Sequence, residues 1–117
     1  MVGDMAVLDE RVLARLVADL GESAVDDLVR TYLDALPARR AAIAEAMATP
    51  DLGAARRVAH QLRSTSHLVG ATSLGEASAW LEAVAIAGDG DGARQAVDEV
   101  GRLVPEVARA LQTWLIR

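Results

Sequence analysis

The sequence predicts an all-α protein, an antiparallel four-helix bundle in up-down-up-down order with an additional short N-terminal helix. Three observations carry this. Helix start and stop signals recur along the chain, and no alternating apolar–polar run is long enough to make a strand. Aromatic residues make up only 3% of the 117 residues and Phe is absent, so Ala, Leu and Val must fill the interior, which suits closely packed helices. The segments between helical patterns are short, and short connections favour antiparallel neighbours.

The elements follow in order. In "LDERVLARLVADLG", Asp9 stands as N-cap and Gly21 just past the end. Leu8, Val12, Leu13, Leu16, Val17 and Leu20 form its apolar stripe. The second pattern starts at Ser23 as N-cap, with Asp26 completing a weak capping box. Its stripe runs through Leu28, Val29, Tyr32, Leu33, Leu36, Ile43 and Met47, and Pro37 should kink it or split it in two. The third opens at Asp51 and closes at Gly70. The fourth has the clearest capping box, Ser73 with Glu76, and ends at Gly88. After the turn "DGDG", the last helix carries Pro105. The residue four before it is Gly101, so a bend is expected there and not a break. Trp80 and Trp114 fall on apolar stripes and are expected to pack in the core or at a bundle end. The stripe of the first helix should cap one end of the bundle or cover a groove between two helices.

Length and composition bound the function. A chain of 117 residues is one domain's worth, taken here as residues 1–117. Hydrophobic residues at 52% and charged residues at 25% are ordinary for a globular protein. A net charge of −5 argues against nucleic-acid binding, which needs a basic face, and suits a monomer. The absence of Cys excludes disulfides, thiolate catalysis and Cys-based zinc sites. No apolar run approaches the roughly 20 residues of a membrane span. The start "MVGDMAVLDE" is acidic and lacks the basic region of a signal peptide, so the cytoplasm is expected.

The chemistry gathers in "VAHQLRSTSHLVGATSL", which holds both histidines of the chain, His60 and His67. Seven residues return to within about 20° of the starting direction, so both point the same way. Ala55, Val58, Leu62, Thr65 and Val69 fall within about 40° of the opposite side and should face the core. The histidines therefore point outward, with Gly53, Arg56, Arg57, Arg63 and Ser64 on their side. Arg56, Arg57 and Arg63 are the i−4, i−3 and i+3 neighbours of His60, close enough to interact with it. In an acidic chain this patch is basic: an imidazole with an anion cradle around it.

These residues resemble the histidine-containing phosphotransfer (HPt) domains of two-component phosphorelays. The likeness rests on His60, Leu62, Arg63, Ser64, Thr65, Ser66, Val69, Gly70, Ala71, Leu74, Leu81 and Glu82 in "AHQLRSTSHLVGATSLGEASAWLE", with the preceding "LDALPARRAAIAEAMATPDLGAARRVAH" also similar. The resemblance implies that His60 takes a phosphoryl group from an Asp of a response-regulator receiver domain, or gives one to it. Arg63, Ser64, Arg56 and Arg57 would support the phosphate, and Gly53, Gln61 and His67 would lie on the docking surface. The partners implied are a receiver domain, a hybrid histidine kinase, or both. The chain would be a phosphocarrier without kinase activity or cofactor of its own, Mg²⁺ belonging to the receiver. Two departures stand out. Arg63 replaces the family Lys, and Ser64 replaces a Gly that usually leaves the approach to the histidine bare. Ser64 therefore motivates an alternative, a degenerate HPt-like module that binds a receiver or kinase without being phosphorylated.

A metal or haem bundle is a further alternative from another class. His60 and His67 are about 10.5 Å apart along the helix axis, too far to share an ion. The i, i+3 and i, i+4 metal spacings are missing around both, so no metal is expected. No phosphate loop, nucleophile elbow or paired histidine–carboxylate motif appears in the sequence. Sequence spacing alone does not place Glu76 or Glu82 near His60.

Overall fold

The computed structural model describes residues 6–117; the acidic start, Met1 to Met5, lies outside the described residues. The protein is a four-helix bundle with an extra helix at its N-terminal side. In order the helices are α1 (Glu10–Leu20), α2 (Glu22–Ala48), α3 (Leu52–Leu68), α4 (Thr72–Ile86) and α5 (Gly90–Leu115). Among the described residues there is no strand.

Helix ends follow local chemistry in part. Asp9, Asp51 and Asp89 are extended N-caps whose side chains accept from Arg11 N, Ala54 N and Gly92 N, satisfying donors that the first turn leaves open. Two expected caps are corrected. α2 begins at Glu22 with Gly21 as N-cap, not at Ser23, because Gly21 (φ 91°) both ends α1 and starts α2. α4 begins at Thr72 after Ala71, and Ser73 is not its cap. The Ser73 hydroxyl instead donates to the Ala6 carbonyl at 2.8 Å, tying the chain start to the α3–α4 corner. At that corner Gly70 (φ 80°) is required twice. It holds a left-handed conformation, and a Cβ there would lie 2.6 Å from the Asp9 carbonyl oxygen.

Pro37 does not split its helix: α2 runs unbroken from Glu22 to Ala48. The proline is exposed, while Tyr32, Leu36 and Ile43 on either side of it are buried. Core packing on the inner face keeps the helix continuous against the local loss of one hydrogen bond. Pro105 likewise lies within continuous α5, without a break.

The core is aliphatic. Leu13, Val25, Val29, Ile43, Leu62, Leu74, Leu81, Val100, Leu103, Val107 and Leu111 are at most 2% exposed. The stripe of α3 is wider than the wheel indicated: Ala55, Leu62 and Val69 are buried, Val58 and Thr65 are half-buried, and Ala59 and Ser66 are buried as well. The reason is that α3 packs against both α2 and α4. Trp114 is buried as expected, but Trp80 is 37% exposed and not a core residue, because it sits where α4 turns its side to water. α1 packs on α2, and its start reaches the corner between α3 and α4. Leu13 is fully buried there, and Asp9 N donates to the Gly70 carbonyl at 2.7 Å. The C-terminus closes the same end: Arg117 pairs with Glu22 (2.9 Å) and Asp26 (3.2 Å) and stacks on the Trp114 ring.

Candidate functional site

α3 and α4 meet through small side chains. Ala55 and Ala59 of α3 and Gly75, Ala77 and Ser78 of α4 are all buried, and residues of this size let two helices lie close. Close approach is what allows a carboxylate on α4 to reach a side chain that α3 turns to water. Glu82, 8% exposed, does this. Its Oε2 lies 2.7 Å from His60 Nδ1, and its Oε1 lies 2.9 Å from Arg63 Nη1. A carboxylate only accepts, so in the neutral imidazole Nδ1 carries the hydrogen and the lone pair sits on Nε2. The His60 side chain is 56% exposed. The arrangement is thus a surface imidazole held in one tautomer by a carboxylate, which a guanidinium fixes in turn.

A second pair crosses the same seam, His67 Nε2 with Glu76 Oε2 at 3.2 Å. On the other flank of α3, Tyr32 and Ser66 share a buried hydrogen bond of 2.7 Å. Burial pushes the Tyr32 hydroxyl up to about 12, against the opposing effects of the Ser66 hydrogen bond and the Arg39 charge. Arg39 Nη1 donates to Thr65 Oγ1 at 2.8 Å. These bonds fix the rotation of α3, and with it the direction in which His60 points. Among the described residues no group of three or more His, Cys, Asp or Glu side chains could hold a metal ion.

The Hpt domain family model matches residues 27–114, which contain His60, Arg63 and Glu82. The chain belongs to the Hpt domain family. Such domains are phosphocarriers of two-component phosphorelays and work with receiver domains and histidine kinases, and this chain is one of these phosphotransfer proteins. Its fold is similar to the crystal structure of histidine-containing phosphotransfer protein B (HptB) from Pseudomonas aeruginosa PAO1. The TM-score is 0.90 at 25% identity, covering 97% of this chain and 98% of that one. A comparison with curated proteins gave no match. Among the described residues no helix is long and apolar enough to cross a membrane.

On this Hpt domain the residues singled out from sequence lie along one exposed strip. Gly53, Arg56, Arg57, His60, Gln61, Ser64 and His67 are exposed and Arg63 is half-buried. What brings two of them together is Glu82, which bonds both His60 and Arg63. Sequence reasoning did not place Glu82 at the site. One signal was available: Glu82 is an acid in the otherwise apolar run "AWLEAVAIA", and a carboxylate buried in such a run needs partners. Arg63 is held to Glu82 through Nη1.

Proposed function

We propose that His60 is the phosphoacceptor, that its Nε2 is the nucleophile, and that it exchanges phosphate with an aspartyl group of a receiver domain. The observation that carries this is the 2.7 Å bond from Nδ1 to Glu82, which leaves the lone pair on the ring nitrogen away from the carboxylate. In the forward step that lone pair attacks the phosphorus of an aspartyl phosphate. The N–P bond forms as the P–O bond to the aspartate breaks, and the electron pair leaves with the carboxylate. The ring gains positive charge beside the Glu82 carboxylate, which offsets it. The reverse step returns the group. Arg63 positions Glu82 and stands one turn from His60, close enough to offer its remaining N–H groups to a phosphoryl oxygen; Arg56 and Arg57 add positive charge. Ser64 flanks the approach, and Gly53, Gln61 and His67 extend the surface a partner covers. The chain acts as a cytoplasmic monomer without kinase activity or cofactor of its own, and Mg²⁺ enters with the receiver.

The test is His60→Ala. Phosphorylation by a phosphorylated receiver is lost and the fold is kept, because exposed side chains change stability by no more than about 0.5 kcal/mol. Label that persists in this variant, or that survives acid as phosphoserine does, sinks the assignment.

A further inference from the structure

α4 turns an apolar face to water. The helix carries only two charged residues, Glu76 and Glu82, and Glu82 reaches inward to His60 and Arg63. Beyond Glu76 the outward side has no charge: Ala83, Ile86 and Ala87 are exposed, Ala79 is half-buried, and Trp80 closes the far edge. Ile86 is 66% exposed. A helix that is apolar all round is ordinarily covered on every side, and an apolar patch left open is a mark of an interaction site. The α3–α4 seam fixes where this face lies. His60 meets Glu82, and seven residues on, the His67 ring lies against Gly75, seven residues back, so the antiparallel register is constant. One turn before His60, that register sets Ile86 opposite Arg56. Ile86 follows Glu82 by four residues, about 6 Å along the same side of α4, and Ala79 and Ala83 lie within about 100° of Glu82 around the helix. Arg56 is exposed and forms no ion pair among the described residues. A histidine, a free guanidinium and an apolar ledge thus adjoin one another.

We propose that Ala79, Ala83 and Ile86 form a docking ledge on α4 for the receiver domain that exchanges phosphate with His60. The inference rests on the reading of His60 as the acceptor, because that exchange is what brings a whole domain over the seam. A specific protein interface covers about 800 Å² on each partner, a disc of roughly 16 Å radius. Centred on His60, a disc of that size takes in Arg56 and extends over Ile86 and Ala83. The receiver matches both parts of the surface. Its aspartyl phosphate is an anion and suits the arginines, and apolar side chains beside it cover the ledge. A second copy of this chain is a poorer occupant. Pairing α4 with α4, 15 residues each, would cover a strip only about 22 Å long and 10 Å wide on each copy, well under the area of a specific interface.

The experiment uses two neutral substitutions, Ile86→Ala and Ala83→Gln, which leave the charge around His60 as it is. Both positions are exposed, so both variants fold. Initial rates of transfer from one phosphorylated receiver are measured across receiver concentration. Labelling by phosphoramidate, a donor too small to cover the ledge, is measured alongside. The half-saturating receiver concentration is expected to rise about 5- to 10-fold in each variant, with the rate at saturation and the phosphoramidate label on His60 unchanged. The three isoleucines of the chain report on binding directly: Ile86 on the ledge, Ile43 in the core at 1% exposed, and Ile116 at the far end of α5. In a δ1-methyl NMR titration with the unphosphorylated receiver, the Ile86 peak shifts and the other two stay. An Ile86 peak unmoved at saturation, or half-saturating concentrations equal to that of the unaltered protein, overturns the proposal. So does an Ile86 peak that shifts with the protein's own concentration, which assigns the face to a second copy. If neither donor labels His60, the acceptor reading fails, and the methyl titration still decides whether the receiver sits on α4.

Discussion

Replacing Glu82 by Gln probes the site most directly, because it keeps the side chain's shape and changes only what the two oxygens can do. Arg63 is a donor and claims one oxygen at 2.9 Å. In the variant that oxygen is the amide oxygen, and the NH₂ group then faces His60 Nδ1. An NH₂ donates, so Nδ1 must accept, and the ring hydrogen moves to Nε2, where it blocks attack. The carboxylate charge that offsets the developing imidazolium is lost as well. A hydrogen bond to a charged group contributes about 1.5–3 kcal/mol. Water recovers part of this at a side chain that is 56% exposed. About 1–2 kcal/mol remains in the transition state, or a roughly 5- to 30-fold slower transfer. Stability should stay within about 1 kcal/mol. Burying the carboxylate costs about as much as its pairing returns, and both partners reach water once it is gone. Rapid-quench transfer from a phosphorylated receiver gives the rate, ¹⁵N shifts of the His60 ring give the tautomer, and thermal melting gives the stability. A variant that transfers at the unaltered rate with the ring hydrogen on Nε2 would refute the tautomer argument. A collapse in melting temperature would make Glu82 a structural residue first.

Three further outcomes are expected. Arg63→Ala slows transfer several-fold and His67→Ala does not, since Arg63 braces Glu82 one turn from the acceptor while His67 lies two turns away; the opposite order would mean the acceptor is misassigned. Ser64→Gly speeds transfer by clearing the approach to Nε2, at a stability cost of roughly 0.5 kcal/mol for Gly in a helix; a slower variant would make the Ser64 hydroxyl a phosphate ligand. The Tyr32 hydroxyl titrates at about 12 in the fold against 10.0 ordinarily, so the folded state holds its proton more tightly than the unfolded chain. Stability is therefore full below pH 10 and falls as pH rises toward 12, by an amount on the order of 2–3 kcal/mol. Tyr32→Phe removes that alkaline decline and costs about 1 kcal/mol near neutral pH through the lost Ser66 bond; denaturant midpoints across the pH range check both.

Helix number, order and most of the buried face were legible in the sequence, because helix periodicity and end signals are local. Asp9, Asp51 and Gly70 act at short range, and a wheel drawn on α3 alone turned His60 to water. The misplaced starts at Ser23 and Ser73 show where local signals fail. Gly21 could serve two helices at once, and the Ser73 hydroxyl found the Ala6 carbonyl across the chain. Pro37 does not split its helix, since a buried face on both sides of it outweighs one missing hydrogen bond. Residue type and spacing thus determined by themselves that this is a helical bundle with an outward histidine among arginines. Only the tertiary structure decided which nitrogen of that histidine is free. Glu82 lies 22 residues from His60, and Glu76 comes within 3.2 Å of His67 Nε2. Such pairings depend on the approach and rotation of two helices, set by small residues along the whole α3–α4 seam, and no local pattern encodes them.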